Sequence, residues 1–213
     1  MSVHKSRPSF LARFSVWTIT AAFVAGIGGA VVFFVSDEIL LKKLDEQGAL
    51  ALPAAYVLGL HGCKEPARKP LWKTLDSNKA PDGLRVACAW SLGHAHSRDV
   101  VPWLRSAALD DPKAEIRIAA VKALGDNKDY LATDTISRVI DNDTDGPVRQ
   151  AACLAAGELG DISLVPVLIP KLHEGAFGIR DAAHKSLEKL TGQSFSIENE
   201  AGWQTWWEKS HGR

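Results

Sequence analysis

The ten residues LRVACAWSLG at 84–93 recur as IRIAAVKALG at 116–125, and their framework returns as VRQAA at 148–152 and IRDAA at 179–183. The arginines of these segments fall at 85, 117, 149 and 180, in steps of 32, 32 and 31 residues. A fixed period in this range is the signature of stacked helical units, none of which can bury its apolar face alone. It constrains the chain to a quasi-one-dimensional stack, in which successive units cover one another and leave extended surfaces for partners.

Between the arginine-bearing segments lie second apolar patterns at helical spacing, over 100–109, 130–140 and 164–172. Each ends near an acidic residue before a short turn, and Pro66, Pro102 and Pro166 fall in or near first turns, where a missing N–H costs least. The unit reads as helix A, acidic turn, helix B, loop. Residues 65–76 supply the helix A that belongs to Arg85. Residues 37–45 and 52–60 form a degenerate first unit, with Pro53 where the arginine belongs and His61 in register with Gly93. Five helix pairs over 37–190 are expected, all-α throughout.

Residues 14–36 form an uncharged run of 23 residues, FSVWTITAAFVAGIGGAVVFFVS. As a helix it would be about 34 Å long, enough to cross a hydrocarbon core of about 30 Å. Lys5, Arg7 and Arg13 precede the run and Asp37 and Glu38 follow it. The expectation is a single-pass transmembrane helix, a cytoplasmic tail at 1–13 and a solenoid on the far side of the membrane. Ala22, Gly26 and Ala30 make a small-x-x-x-small face on which two spans could pair into a homodimer.

The acidic turn followed by V-R-x-A-A-x-x-x-L-G, seen from Asp110 to Gly125 and from Asp141 to Gly157, resembles the HEAT-like repeats. The resemblance is specifically to the short bacterial type that also occurs in phycobilisome lyases. The resemblance implies that each arginine pairs with acidic groups of the turn to form a ladder along one edge. Arg85, Arg117, Arg149 and Arg180 match that position, with Asp76, Asp111 and Asp141 or Asp143 as the expected mates. The tail at 191–213 is also similar to the ending of many such proteins. Its Trp203, Trp206 and Trp207 stand at i, i+3 and i+4, making one aromatic face that would cap the last repeat.

Charge narrows the partner classes. Beyond residue 36 the chain holds 22 basic against 25 acidic residues, a net of −3, so there is no basic stripe for nucleic acid. The stretch DNDTDG at 141–146 imitates the start of a calcium loop, but position twelve holds Ala152 and position nine Arg149, so it reads as the acidic turn of its repeat. His61, Cys63, His94 and His96 could share one edge, a mixture suited to zinc or copper. Cys88 and Cys153 occupy small apolar positions two repeats apart, too distant for a disulfide. No nucleophile elbow, phosphate loop, dinucleotide fingerprint or H-E-x-x-H is present, and no catalytic residue or cofactor is expected. The function expected is a non-catalytic, membrane-anchored scaffold that binds a protein partner on the concave face of its B helices. Helix-B positions such as Gln150, Lys122, Lys185 and Glu188, expected to be exposed, would tune it. The alternatives are a lyase-like enzyme or enzyme subunit handling a prosthetic group, and a metal-binding periplasmic module.

Overall fold

The computed structural model describes residues 36–211. Within them every regular element is helical, in the order α1 (Asp37–Asp45), α2 (Ala51–Leu60), α3 (Arg68–Leu75), α4 (Asp82–Gly93), α5 (Val101–Asp110), α6 (Ala114–Asn127), α7 (Thr133–Asn142), α8 (Gly146–Leu159), α9 (Val165–Leu168), α10 (Phe177–Thr191) and α11 (Glu200–His211). Helix α9 continues as a 3₁₀ turn through His173. Helices α3 to α10 form four A–B pairs in contact, α1 and α2 precede them in the same alternation, and from Leu40 onward the chain makes one compact unit.

The B helices α2, α4, α6, α8 and α10 pack side by side as an inner layer, and the A helices α3, α5, α7 and α9 pack against it. Small residues set the spacing of the inner layer. A Cβ on Gly93 would stand 2.8 Å from Ala123 Cα, and one on Gly125 would stand 2.8 Å from the Ala155 carbonyl oxygen. Only glycine permits that approach of backbones. Two serines pin the same seam: Ser91 Oγ donates to the Ala55 carbonyl and Ser186 Oγ to the Cys153 carbonyl, both at 2.7 Å.

These contacts also set the register of the first pair. Gly59 meets Ser91 as Gly93 meets Ala123, so Gly59, not His61, corresponds to Gly93. The position of the repeat arginine is then held by the buried Ala51 instead of Pro53.

Each B helix is followed by a residue in the left-handed region: Gly62 (φ 79°), His96 (φ 43°), Lys128 (φ 59°), Gly160 (φ 81°) and Gly192 (φ 69°). That reversal stops the helix and turns the chain toward the next A helix. Asp129 and Asp161 then start A units by accepting the backbone N–H of Leu131 and Ser163, each at 3.0 Å.

The single-pass membrane placement expected from residues 14–36 is corrected by these helices. Among the described residues no helix is long and apolar enough to cross a membrane. The longest, α10, has 15 residues, about 22 Å against a hydrocarbon core of about 30 Å. Apart from Ser36, the segment 14–36 lies outside the described residues, and so does the face of Ala22, Gly26 and Ala30. The membrane localisation and the extracytoplasmic placement of the solenoid are therefore not retained.

Candidate functional site: the inner helical face

Two ladders of side chains hold the repeats in line, and separating them from the free surface locates the site. Along the A–B turns the arginines make two kinds of bond. Each donates to a main-chain carbonyl of its own turn: Arg85 Nε to Leu75 (2.7 Å), Arg117 to Asp111 (3.0 Å), Arg149 to Asp143 (2.9 Å) and Arg180 to Glu174 (3.1 Å). The first three also reach a carboxylate in the turn of the next repeat. Arg85 bonds to Asp111, Arg117 to Asp143 and to Asp145 (2.5 Å), and Arg149 to Glu174 (3.0 Å).

The carboxylate mates thus lie one repeat beyond the positions expected from the sequence. Asp111 and Asp143 serve the preceding arginine with their side chains and their own arginine with their carbonyls. Asp141 pairs with Lys171 at 2.9 Å, and Asp76 supplies no bond to Arg85, whose own-turn partner is the Leu75 carbonyl. Burial pushes the Asp143 carboxyl upward, but the bonds from Arg117 and from the Asp145 N–H outweigh it and leave it below the ordinary carboxylate range. The Arg117 guanidinium is raised, first by its bond to Asp143, against the cost of burial. In the calcium-like stretch Asp141, Asp143 and Asp145 are all engaged by cations of the protein.

A second ladder, not anticipated from the sequence, runs along the B–A loops. Arg68 bonds to Asp99 (3.0 Å), Arg98 to Asp129 (3.2 Å) and Thr133 to Asp161. The signal was present as aspartates at 99, 129 and 161, each just ahead of an A helix.

The histidines fall into structural roles. His94 Nδ1 bonds to the Trp90 carbonyl (2.9 Å) and its ring lies 4.0 Å from that of Trp90. His96 Nδ1 approaches the Asn127 carbonyl at 3.4 Å from a left-handed backbone. Cys63 is buried in its turn. Among the described residues no group of three or more His, Cys, Asp or Glu is placed to hold a metal ion, so the His61–Cys63–His94–His96 edge is corrected to a structural loop edge. Cys88 and Cys153 are buried as thiols; burial pushes Cys153 up to about 12 and Cys88 higher still.

The tryptophans of the tail divide. Trp203 is fully buried, 5.0 Å from Phe195 and 6.2 Å from His184, and covers the end of the last repeat. Trp206 and Trp207 stay half-exposed, with His211 stacked on Trp207 at 4.0 Å. The single aromatic face expected for all three therefore splits, because three residues spanning about 100° of helix cannot all enter one plug.

What remains is the open face of the inner layer, made by residues one, five and nine places after the arginine position. Its polarity changes along the stack. On α2 these are Leu52, Tyr56 and Leu60, exposed to 41%, 37% and 72%. On α4 they are Val86 and Trp90, with His94 at its C-cap, and on α6 Ile118, Lys122 and Asp126. On α8 and α10 the row becomes Gln150, Leu154, Glu158, Asp181, Lys185 and Lys189. There the charges pair among themselves, Lys189 with Glu158 and Lys185 with Asp181, both at 2.7 Å. Glu188 is half-buried and bonds to Ser194.

The apolar half is a groove of about 360 Å³ between α2, α4 and α6, floored by Tyr56, Val86, Trp90, Ile118 and Ala119. Tyr56 and Trp90 pack at 5.3 Å and 60°. At the rim stand Glu115, Lys122 and Asp126. Burial raises the Asp126 carboxyl, and Glu158 adds to this against the pull of His94, His96 and Lys122.

The family model described as HEAT repeats matches residues 39–125 and 68–155, together more than half of the chain. Curated proteins give no match. Among solved structures the chain is similar to phycocyanin lyase of Nostoc, in the complex of CpcE and CpcF, with TM-score 0.61 and 23% identity over 87% of this chain and 72% of that one. It is also similar to the Escherichia coli protein YibA, with TM-score 0.59 and 20% identity over 92% and 68% of the two chains. Human deoxyhypusine hydroxylase, in complex with glycerol, gives TM-score 0.54 and 16% identity over 74% and 64%. At these identities the likeness is one of fold, and with the sequence match it places this chain in the family of HEAT-repeat proteins.

Proposed function

We propose that this chain is a protein-docking scaffold whose N-terminal inner face receives a segment of another protein, without catalysis of its own. One observation carries the reading. Helix α2, ALPAAYVLGL, has no charged residue, yet it presents Leu52, Tyr56 and Leu60 to solvent at helical spacing. A surface helix ordinarily turns a polar face outward, and a continuous apolar patch of this kind marks a binding surface. The patch runs on into the Trp90 groove, where large aromatic side chains are available as anchors. A place as one subunit of a larger enzyme would use the same surface; the phycocyanin lyase structure is itself a complex of two chains.

A test is panning of a displayed library of 12-residue peptides on the full chain. Selected peptides are expected to lose binding on Leu60→Asp and on Trp90→Ser. They should keep it on Leu131→Asp, an exposed apolar site in the loop before α7. Peptides indifferent to the Leu60 and Trp90 changes would sink the proposal.

A further inference from the structure

Resting on that docking reading, we infer that the groove takes a basic side chain, arginine first, seated between the Asp126 carboxylate and the Trp90 ring, beside the apolar residues of the same partner segment.

Glu158 is satisfied by Lys189 and Asp181 by Lys185. Asp126 stands in the same row as Glu158, one repeat earlier. It is half-buried, and only burial and longer-range charges act on it, with no hydrogen bond to its oxygens among the described residues. Lys122, one turn back on α6, stays exposed and forms no ion pair with it. An aspartate left half-buried without a mate costs stability in the free protein. It becomes favourable once a cation arrives, because a charge-assisted bond is strongest where water is scarce.

The neighbouring surface selects the kind of cation. Trp90 lines the same groove, its ring 4.0 Å from that of His94 and 5.3 Å from that of Tyr56, tilted from them by 38° and 60°. A guanidinium can donate to the carboxylate through its planar fork and stack on an indole face at the same time, which a compact ammonium does less well. Ile118 and Val86 supply the apolar floor for its methylene stem. The occupant is therefore a protein segment that carries an arginine next to a large aliphatic residue.

The probe is N-acetyl-leucyl-argininamide, with its citrulline counterpart as the uncharged isostere. Each is titrated into the full chain while the Trp90 indole N–H resonance, assigned by its loss in Trp90→Phe, is followed. The arginine dipeptide is expected to shift Trp90 saturably and to bind about tenfold more tightly than the citrulline one. Asp126→Asn should abolish that preference while leaving the protein at least as stable to urea, so a folding defect cannot mimic the result. Lys122→Ala should strengthen arginine binding by removing a competing cation. Equal affinity for the two dipeptides, or a preference that survives Asp126→Asn, overturns the inference. If the panned peptides still require Trp90 in that case, the docking surface stands and only the basic pocket falls. If neither dipeptide nor panned peptide perturbs Trp90, the docking reading falls with it.

Discussion

Arg117 closes a forked bond on Asp143 across 26 residues of chain, Nε to Oδ2 at 2.8 Å and Nη2 to Oδ1 at 3.0 Å. Both side chains are nearly buried, at 11% and 8% exposure. Because Arg117 also holds the Asp111 carbonyl, one guanidinium ties together two consecutive turns. Removing it strands a buried carboxylate, so Arg117→Ala is expected to cost about 3 kcal/mol in urea unfolding of the full chain. Arg180, at the end of the array, bonds to main-chain carbonyls of its own turn, and Arg180→Ala should cost about 1 kcal/mol. A loss at Arg180 equal to that at Arg117 would contradict the inter-repeat role of the clasp.

The same carboxylates set the acid limit of the fold. Asp99, Asp129, Asp143 and Asp161 all lie below the ordinary carboxylate value. For Asp129 the leading cause is the Leu131 N–H. For the other three, burial is overcome by hydrogen bonds. A group depressed in the folded state contributes stability in full above its unfolded pKa and loses it as pH falls through the folded value. Stability should therefore be flat with respect to these groups above about pH 5 and decline below about pH 4. Asp143→Asn should flatten that decline, as read by urea midpoints between pH 3 and 7.

Asp126 has the opposite sign. Its carboxyl is raised, chiefly by burial, so ionising it at neutral pH weighs against folding. Asp126→Asn is expected to leave the full chain as stable at pH 7 or more so, whereas Asp143→Asn destabilises it. A lower urea midpoint for Asp126→Asn at pH 7 would show that the carboxylate is part of the scaffold.

The inner seam admits no added carbon at Gly125, where a Cβ would meet the Ala155 carbonyl oxygen at 2.8 Å and Cα at 2.9 Å. Backbone atoms cannot turn aside as a side chain can. Gly125→Ala should cost about 1–3 kcal/mol, although alanine is the better helix former by about 1 kcal/mol. A neutral or stabilising result in thermal unfolding would mean that α6 and α8 separate readily.

At the far end Trp203→Ala should cost about 3–5 kcal/mol, since it empties a fully buried site. Trp206→Ala, at a half-exposed position, should cost about 1 kcal/mol. Tryptophan fluorescence of the two variants, followed through unfolding, separates the plug from the surface ring.

The spacing of Arg85, Arg117, Arg149 and Arg180 was enough to assign an all-α stack of A–B pairs, because a period of about 32 residues must be absorbed by one repeating unit. Local chemistry likewise marked the acidic turns and Trp203. Pairing partners were another matter. Asp111 lies six residues before Arg117 and 26 after Arg85, and linear proximity favours the first while the stacking of turns delivers its side chain to the second. The alignment of Gly59 with Gly93 was equally hidden, since the degenerate first unit lacks the arginine that marks the rest; only the close approach to Ser91 fixes it. The groove belongs wholly to the tertiary structure. Tyr56, Trp90 and Asp126 come from three different repeats, and each reads in isolation as an ordinary helix residue. A sequence period determines which helices stack, but the surface that forms across the stack depends on register and spacing, which packing alone decides.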